Sequence, residues 1–190
     1  ANDVSAIGYI SLGSLNDTVK ALSIDGTKAA AENVKNGSYS VKRPFLIVFK
    51  EENNPLITDF VNFIHSSDGA AVIAEKGYVA QEDKGAFKSS DPEGSLTIGG
   101  SSSVTPLMEK LAEAYMKVNP KAKLSVMQSD STVGISNAAD GTYQIGMASR
   151  ELKTDEKNSG LKEDIIAQDG IAVIVNLSNP VDNASKQTIA

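Results

Sequence analysis

The stretch LTIGGSSSVTPLMEKLAEAYMKV, residues 96–118, decides the fold. Its first three residues are β-prone, and they lead through two glycines and three serines directly into a helix. The helix is predicted from a single apolar stripe of Val104, Leu107, Met108, Leu111, Tyr115 and Val118. A strand that runs straight into a helix is typical of open α/β sheets, in which ligands bind beyond the carboxyl ends of the strands.

The same pattern recurs in the residues that follow. Residues 124–127 form a second strand and lead through QSDST into a helix, and residues 145–148 form a third strand that ends at Ser149 and Arg150. Residues 171–175 are apolar throughout, as expected of a strand buried on both faces. Strands that alternate with helices predict a single three-layer α/β/α lobe with a mostly parallel central sheet.

The first 79 residues are expected to add strands at 7–10, 19–24 and 45–49, and helices at 29–35, 56–64 and 68–77. Residues 80–95 are polar and rich in turn formers, so they predict a linker or a long surface loop. Asp155, Glu156, Glu163 and Asp164 are expected to form a solvated helix face.

Composition excludes several kinds of protein. The 190 residues carry a formal net charge of -6, no Cys and one His, which argues against nucleic-acid binding, disulfides, multi-His metal sites and a Ser-His triad. His65 is expected to be an exposed or capping residue, and no cofactor is implied. No apolar run approaches the length of about 20 residues that a membrane span needs, and the first residues are not a signal peptide.

Small hydroxyl residues and one Arg follow three of the predicted strands. The candidate residues for an oxyanion site are Ser102, Ser103, Ser131, Thr132, Ser149 and Arg150. Helix starts offer unpaired N–H groups and a partial positive charge, and Arg adds a planar donor fork. Ser and Thr are also the commonest helix N-caps, so capping alone remains an alternative explanation for each of them.

Several segments resemble the phosphate-binding proteins of bacterial phosphate ABC importers, which have the type II periplasmic-binding-protein fold. Those that resemble the family's N-terminal half are LTIGGSSSVTPL (96–107), QSDSTVGI (128–135), DGTYQIGMASRELK (140–153) and DGIAVIVN (169–176). Those that resemble its C-terminal end are AIGYISLGSL (6–15) and RPFLIV (43–48).

The order of these segments is the reverse of the family's usual order. The resemblance implies a single lobe over 1–190, in which 80–95 links the old termini between C-terminal-like residues 1–79 and N-terminal-like residues 96–190. We therefore expect a circularly permuted, excised lobe that lacks the second wall of the clamp. We expect it to be engineered, although the sequence leaves a natural origin open.

The resemblance implies that the six candidate residues contact phosphate. Some family members have an Asp where Arg150 stands, and that Asp accepts a proton from phosphate. An Arg cannot accept a proton, so the resemblance leaves open how phosphate would be distinguished from sulfate.

The expected function is weak, non-catalytic phosphate or small-oxyanion binding, since no activated nucleophile is visible. The parent protein would be extracytoplasmic, in the periplasm or as a cell-surface lipoprotein, and would dock an ABC importer membrane complex. The alternative is a structural module without ligand binding that forms a homodimer or pairs with a second lobe.

Overall fold

The computed structural model describes residues 3–50 and 54–189. In chain order the strands and helices are β1 (Ile7–Ser11), β2 (Lys20–Ala21), β3 (Ser23–Ile24), α1 (Ala31–Lys35), β4 (Lys42–Lys50), α2 (Pro55–Ile64), α3 (Ser67–Glu75), β5 (Val79–Ala80), β6 (Gly94–Ser101), α4 (Thr105–Val118), β7 (Ala122–Ser129), α5 (Ser131–Asp140), β8 (Ile145–Ala148), α6 (Thr154–Lys157), β9 (Leu161–Val175), β10 (Asn183–Ala184) and α7 (Lys186–Ile189). Most predicted elements are present, and β9 begins ten residues earlier than expected.

The chain divides into two compact units. The larger unit comprises Pro44–Lys76 and Ala80–Ala167, and the smaller unit comprises Ala1–Arg43, Gly77–Val79 and Gln168–Ala190. Each unit contains residues from both halves of the chain. The boundaries of the two units therefore do not coincide with those of the segments 1–79 and 96–190.

The sheet of the larger unit has the strand order β4-β8-β6-β7. β6 pairs in parallel with both β7 and β8, whereas β4 pairs antiparallel with β8. Helix α4 connects the paired strands β6 and β7, and α5 connects β7 to β8, which pairs with the other side of β6. Among the described strands of this unit, parallel pairs are therefore found only within residues 94–148.

Both faces of this sheet are buried. Phe45 to Val48 are consecutive residues of β4 with no exposed surface, and consecutive residues of a strand point to opposite faces. Leu46 and Val48 pack with Ile135 and Ala138 of α5. Phe45 and Ile47 are buried on the opposite face, which agrees with the predicted three layers.

The 81–93 segment contains no helix or strand, but it is anchored to the larger unit. The buried carboxylate of Asp59 accepts hydrogen bonds from Ser89 Oγ at 2.7 Å and Ser90 N at 2.9 Å. It also accepts one from the Tyr115 hydroxyl at 2.8 Å. Burial raises the pKa of Asp59, but these hydrogen bonds outweigh burial and the pKa is lowered overall. The ring of Phe87 packs edge-on against Phe63, so the predicted linker is a fixed part of this unit.

In the smaller unit β9 pairs antiparallel with β1 and β2, and β10 pairs in parallel with β3. Its core is small and consists of Leu22, Ile24, Val34, Tyr39, Val173 and Val175. The fully buried Asp169 accepts hydrogen bonds from Ser11 Oγ at 2.7 Å and Arg43 Nε at 3.0 Å. Burial is the largest influence on this carboxyl and raises its pKa.

His65 caps the C-terminus of α2, which is one of the two roles expected for it. Its side chain is not exposed: His65 is 4% exposed, and its Nε2 lies 2.9 Å from Asp164 Oδ1. The expectation for the acidic stretch is wrong. The acidic stretch is not one helix face: α6 has only four residues, and Glu163 and Asp164 belong to β9. The chain turns at Gly160, whose φ of 74° favours glycine, and continues as β9 from Leu161.

Within the described ranges, no helix has the length and apolar character needed to cross a bilayer. The same residues hold no group of three His, Cys, Asp or Glu side chains arranged to bind a metal ion.

Candidate functional site

The carboxyl ends of β6, β7 and β8 meet at one edge of the larger unit's sheet because the three strands are parallel. The register pairs Ser101 with Ser129 and Gly100 with Met147. Ser149 follows Met147 by two residues, so the three serine-bearing ends reach the same level of the sheet.

Two glycines bring helix α5 onto this edge. Gly100 has a φ of 141°, and a Cβ there would collide with the carbonyl oxygen of Met147. A Cβ at Gly134 in α5 would lie 2.7 Å from the Cα of Gly100 and 2.8 Å from the same carbonyl oxygen. The backbone of α5 therefore contacts the strands directly, which holds its N-terminal residues beside the strand ends.

Hydrogen bonds join the three strand ends to one another. Ser102 N donates to Ser129 O at 3.0 Å, and Ser101 Oγ donates to Ser149 Oγ at 3.0 Å. Ser149 N donates to Ser131 Oγ at 3.2 Å. Three of the predicted residues, Ser102, Ser131 and Ser149, are thus joined in one cluster of hydroxyl and amide groups, and Ser103 follows Ser102 in the chain. We call these four residues, together with Ser101, the serine edge.

The two helices that begin at the serine edge have different N-termini. Asp130 caps α5, because its carboxylate accepts hydrogen bonds from Thr132 N at 2.8 Å and Val133 N at 3.0 Å. The N-cap residue of α4 is Val104, and no side chain caps that helix. Val104 N already donates to Ser101 O, Leu107 N donates to Val104 O, and Pro106 has no N–H. The first turn of α4 therefore offers an anion the amide of Thr105, for which no backbone acceptor is found among residues 3–50 and 54–189, and the partial positive charge of the helix terminus.

Ser103 is half-buried in the turn before α4. Among residues 3–50 and 54–189, no hydrogen bond of its side chain is found, unlike those of Ser131 and Ser149. Its hydroxyl is therefore available to a ligand at the start of α4.

Arg150 lies beside the serine edge, but its guanidinium is already paired. Nη1 and Nη2 donate to the two carboxylate oxygens of Glu156, both at 2.7 Å, and Nη2 also donates to Thr132 Oγ1 at 3.2 Å. The hydrogen bonds to Glu156 raise the pKa of Arg150, and those from Arg150 are the largest cause of the lowered pKa of Glu156, which is about 2. The Arg charge expected for oxyanion binding is therefore balanced by a carboxylate.

Three residues that were not among the predicted ones also build this site: Ser101, Asp130 and Glu156. Ser101 belongs to the serine run, and Asp130 stands just before the predicted helix, where an N-cap is expected. Glu156 gave no signal, because its pairing with Arg150 depends on the turn between β8 and α6.

Comparison with known proteins places the chain in a family. A family model described as a PBP superfamily domain matches residues 85–190, more than half of the chain. The chain therefore belongs to the PBP superfamily.

The chain is 49% identical over 190 residues to "Phosphate-binding protein PstS 2" of Streptococcus agalactiae, a match that covers 100% of this chain and 65% of that protein. A crystal structure of a phosphate ABC transporter phosphate-binding protein from Streptococcus pneumoniae superposes with a TM-score of 0.86 and 43% identity. That match covers 98% of this chain and 73% of the other.

A more limited match is found with "Phosphate-binding protein PstS" of Staphylococcus aureus, which is 37% identical over 112 residues, covering 55% of this chain and 34% of that protein. Together the matches confirm the resemblance drawn from the sequence and the predicted type II binding-protein fold.

Proposed function

We propose that the serine edge is part of a binding site for inorganic phosphate or a similar small oxyanion, in the substrate-binding protein of an ABC importer. The observation that carries the proposal is the convergence of three strand ends beside the uncapped N-terminus of α4. The similarity to two streptococcal phosphate-binding proteins supports it.

The anion would be held mainly by the start of α4. The Thr105 N–H and the helix dipole favour negative charge there, and Ser102 and Ser103 add hydroxyl donors. Ser131 and Ser149 would complete the wall from the neighbouring strand ends. Asp130 already accepts hydrogen bonds at the start of α5, and Glu156 already pairs with the Arg150 guanidinium. The start of α5 and Arg150 would therefore contribute less to anion binding than the start of α4.

The affinity of this chain is expected to be weak. The chain spans 65% of the length of the S. agalactiae protein, and donors supplied by the rest of such a protein would be lost. Each charge-assisted hydrogen bond contributes about 1.5–3 kcal/mol, so the loss of three or four converts micromolar binding to about millimolar or weaker.

The test is a titration of the chain with phosphate at constant ionic strength, in which binding is monitored by ³¹P line broadening. The double variant Ser103→Ala, Ser131→Ala should have a dissociation constant about tenfold higher, which corresponds to the loss of one or two neutral hydrogen bonds. Ser125→Ala, which removes an exposed hydroxyl from the middle of β7, is the matched control and should bind as the parent chain does. Equal binding by the double variant and the parent chain would contradict the proposal.

We infer that the site is non-catalytic. Ser101 bonds to Ser149, and the His65 ring bonds to Asp164, so neither arrangement provides a serine with a histidine base. Turnover of p-nitrophenyl phosphate that disappears in Ser103→Ala would overturn this inference.

We further propose that the parent protein works outside the cytoplasm, as a periplasmic protein or a cell-surface lipoprotein, and docks an ABC importer membrane complex. Protease added to intact cells of a Gram-positive host, or to spheroplasts of a Gram-negative host, should degrade it, and full protection would contradict the proposed location.

We infer that the order of segments in this chain is natural rather than engineered, and that it differs from the order in some relatives. The S. agalactiae match includes the whole chain, whereas the S. aureus match includes about half. A shared order explains the first match, and a permuted order explains why the second stops. We also propose that residues 1–190 belong to a single lobe in which residues 80–95 link the two segments. The inference fails if the counterpart of residues 96–190 precedes that of residues 1–79 in the S. agalactiae protein.

A further inference from the structure

The smaller unit has an open apolar groove of about 800 Å³. It is lined mainly by β1, β9 and the last residues of the described chain, among them Ile7, Tyr9, Ile171 and Ile189. Ile7 and Tyr9 are two residues apart in β1, so their side chains lie on the same face of the strand. They are 72% and 81% exposed, which is unusual for two large apolar side chains beside a groove.

β1 is also an edge strand. It pairs with β9, and in the described part of the chain it lies at the end of the strand order. An edge strand with apolar side chains readily pairs with another polypeptide segment. The groove and the strand edge together form a continuous surface that the small core of this unit leaves uncovered, and we call it the β1 groove.

The coverage of the relatives indicates what covers the β1 groove. The matched region of the S. agalactiae protein corresponds to every residue of this chain but to only 65% of that protein. The rest of that protein therefore precedes the counterpart of this chain's first residue or follows that of its last.

Both of those positions adjoin the β1 groove. Val4 is held by a hydrogen bond from Asn179 Nδ2 to its carbonyl oxygen at 2.9 Å, three residues before β1 begins. At the other end, Thr188 and Ile189 line the groove itself. Additional chain at either position would start within reach of the exposed face of β1.

We propose that the β1 groove is the docking surface for the part of the polypeptide that the streptococcal relatives carry beyond these 190 residues. An apolar segment of that part covers Ile7 and Tyr9 and completes the smaller unit. The proposal rests on the β1 groove and the lengths of the relatives, and it does not depend on phosphate binding at the serine edge.

The experiment uses the absence of cysteine from the chain. Tyr9→Cys places a unique thiol on the β1 groove, and Met127→Cys places a control thiol at a half-exposed apolar position on β7 of the larger unit. Each variant is made in the 190-residue chain and in a chimaera in which these 190 residues replace their counterpart in the S. agalactiae protein, with any cysteine in the rest of that protein replaced by serine. The rate of maleimide labelling is then measured for all four proteins.

We expect the thiol at position 9 to react at least tenfold more slowly in the chimaera than in the 190-residue chain, and the thiol at position 127 to react at the same rate in both. Equal rates at position 9 would overturn the proposal. Slow labelling of the 190-residue chain that speeds up on dilution, with a dimer seen by light scattering, would also overturn it, because a second copy would then be the occupant. Circular dichroism of the four proteins verifies that the substitutions leave the fold intact.

Discussion

A buried carboxylate in each unit has a shifted pKa, and the two shifts have opposite directions. Asp59 of the larger unit is held by two serines and Tyr115, and these hydrogen bonds outweigh the cost of burial, so its pKa is lowered. Asp169 of the smaller unit has a charged partner in Arg43, yet burial outweighs that partner and its pKa is raised. Asp169 is fully buried and also accepts a hydrogen bond from Ser11 Oγ, so the direction of the pKa shift depends on the balance between burial and hydrogen bonding rather than on the presence of a charged partner.

The largest effect expected from this comparison is at Asp59. Asp59→Asn removes a charge that accepts four hydrogen bonds and leaves an amide that cannot satisfy all four donors. We expect a loss of about 2–4 kcal/mol in the free energy of unfolding, measured by urea denaturation. Asp169→Asn should cost about 1 kcal/mol or less, because it also removes the penalty of burying a charge. Equal losses would remove the distinction between the two units.

Gly134→Ala tests how the larger unit forms the serine edge. The added methyl group would overlap the backbone of Gly100 and Met147, and overpacking of this kind costs about 1–3 kcal/mol. Thermal unfolding measures the loss. Gly141→Ala is unsuitable as a control because that residue has a φ of 87°, whereas Ser136→Ala, at an exposed position on the same helix, should change stability little.

The fold of the larger unit could be predicted from the sequence because its strands and helices follow regular apolar patterns. Leu107, Leu111 and Tyr115 mark α4, and the serines mark where the strands end. The two-unit organisation could not be predicted, because both β4 and β9 pass from one unit into the other without any change in pattern. The pairing of Glu156 with Arg150 depends on a turn whose direction local sequence does not specify.

The pH dependence of stability should separate the two carboxylates. An Asp with a raised folded pKa gives stability that is present at low pH and lost as the pH rises through the folded value. The stability of the parent chain relative to Asp169→Asn should therefore increase as the pH falls from 7 towards 3.8. For Asp59, whose pKa is lowered, the stability difference from Asp59→Asn should stay constant over that range and shrink only below 3.8. Urea denaturation from pH 7 to pH 3 measures both differences, and parallel curves would contradict the assignment.

The smallest effect concerns the acidic cap at the serine edge. Asp130→Ser keeps a side-chain cap on α5 but removes a negative charge beside the proposed anion site. Phosphate affinity should rise by about two- to fivefold, the range of a single charge near a helix terminus. The gain should shrink as salt is added, and an unchanged or weaker affinity would place the anion away from the start of α5.

Phosphate binding at the serine edge is tested most directly by mapping backbone amide shifts with ¹⁵N–¹H NMR at constant ionic strength. We expect saturable shifts that are largest at the amides of Ser102, Ser103, Thr105 and Ser149, with much smaller shifts in the smaller unit. Sulfate as a second ligand measures how well the site distinguishes the two oxyanions. The absence of saturable shifts at the serine edge, or a maximum elsewhere in the chain, would contradict the central claim.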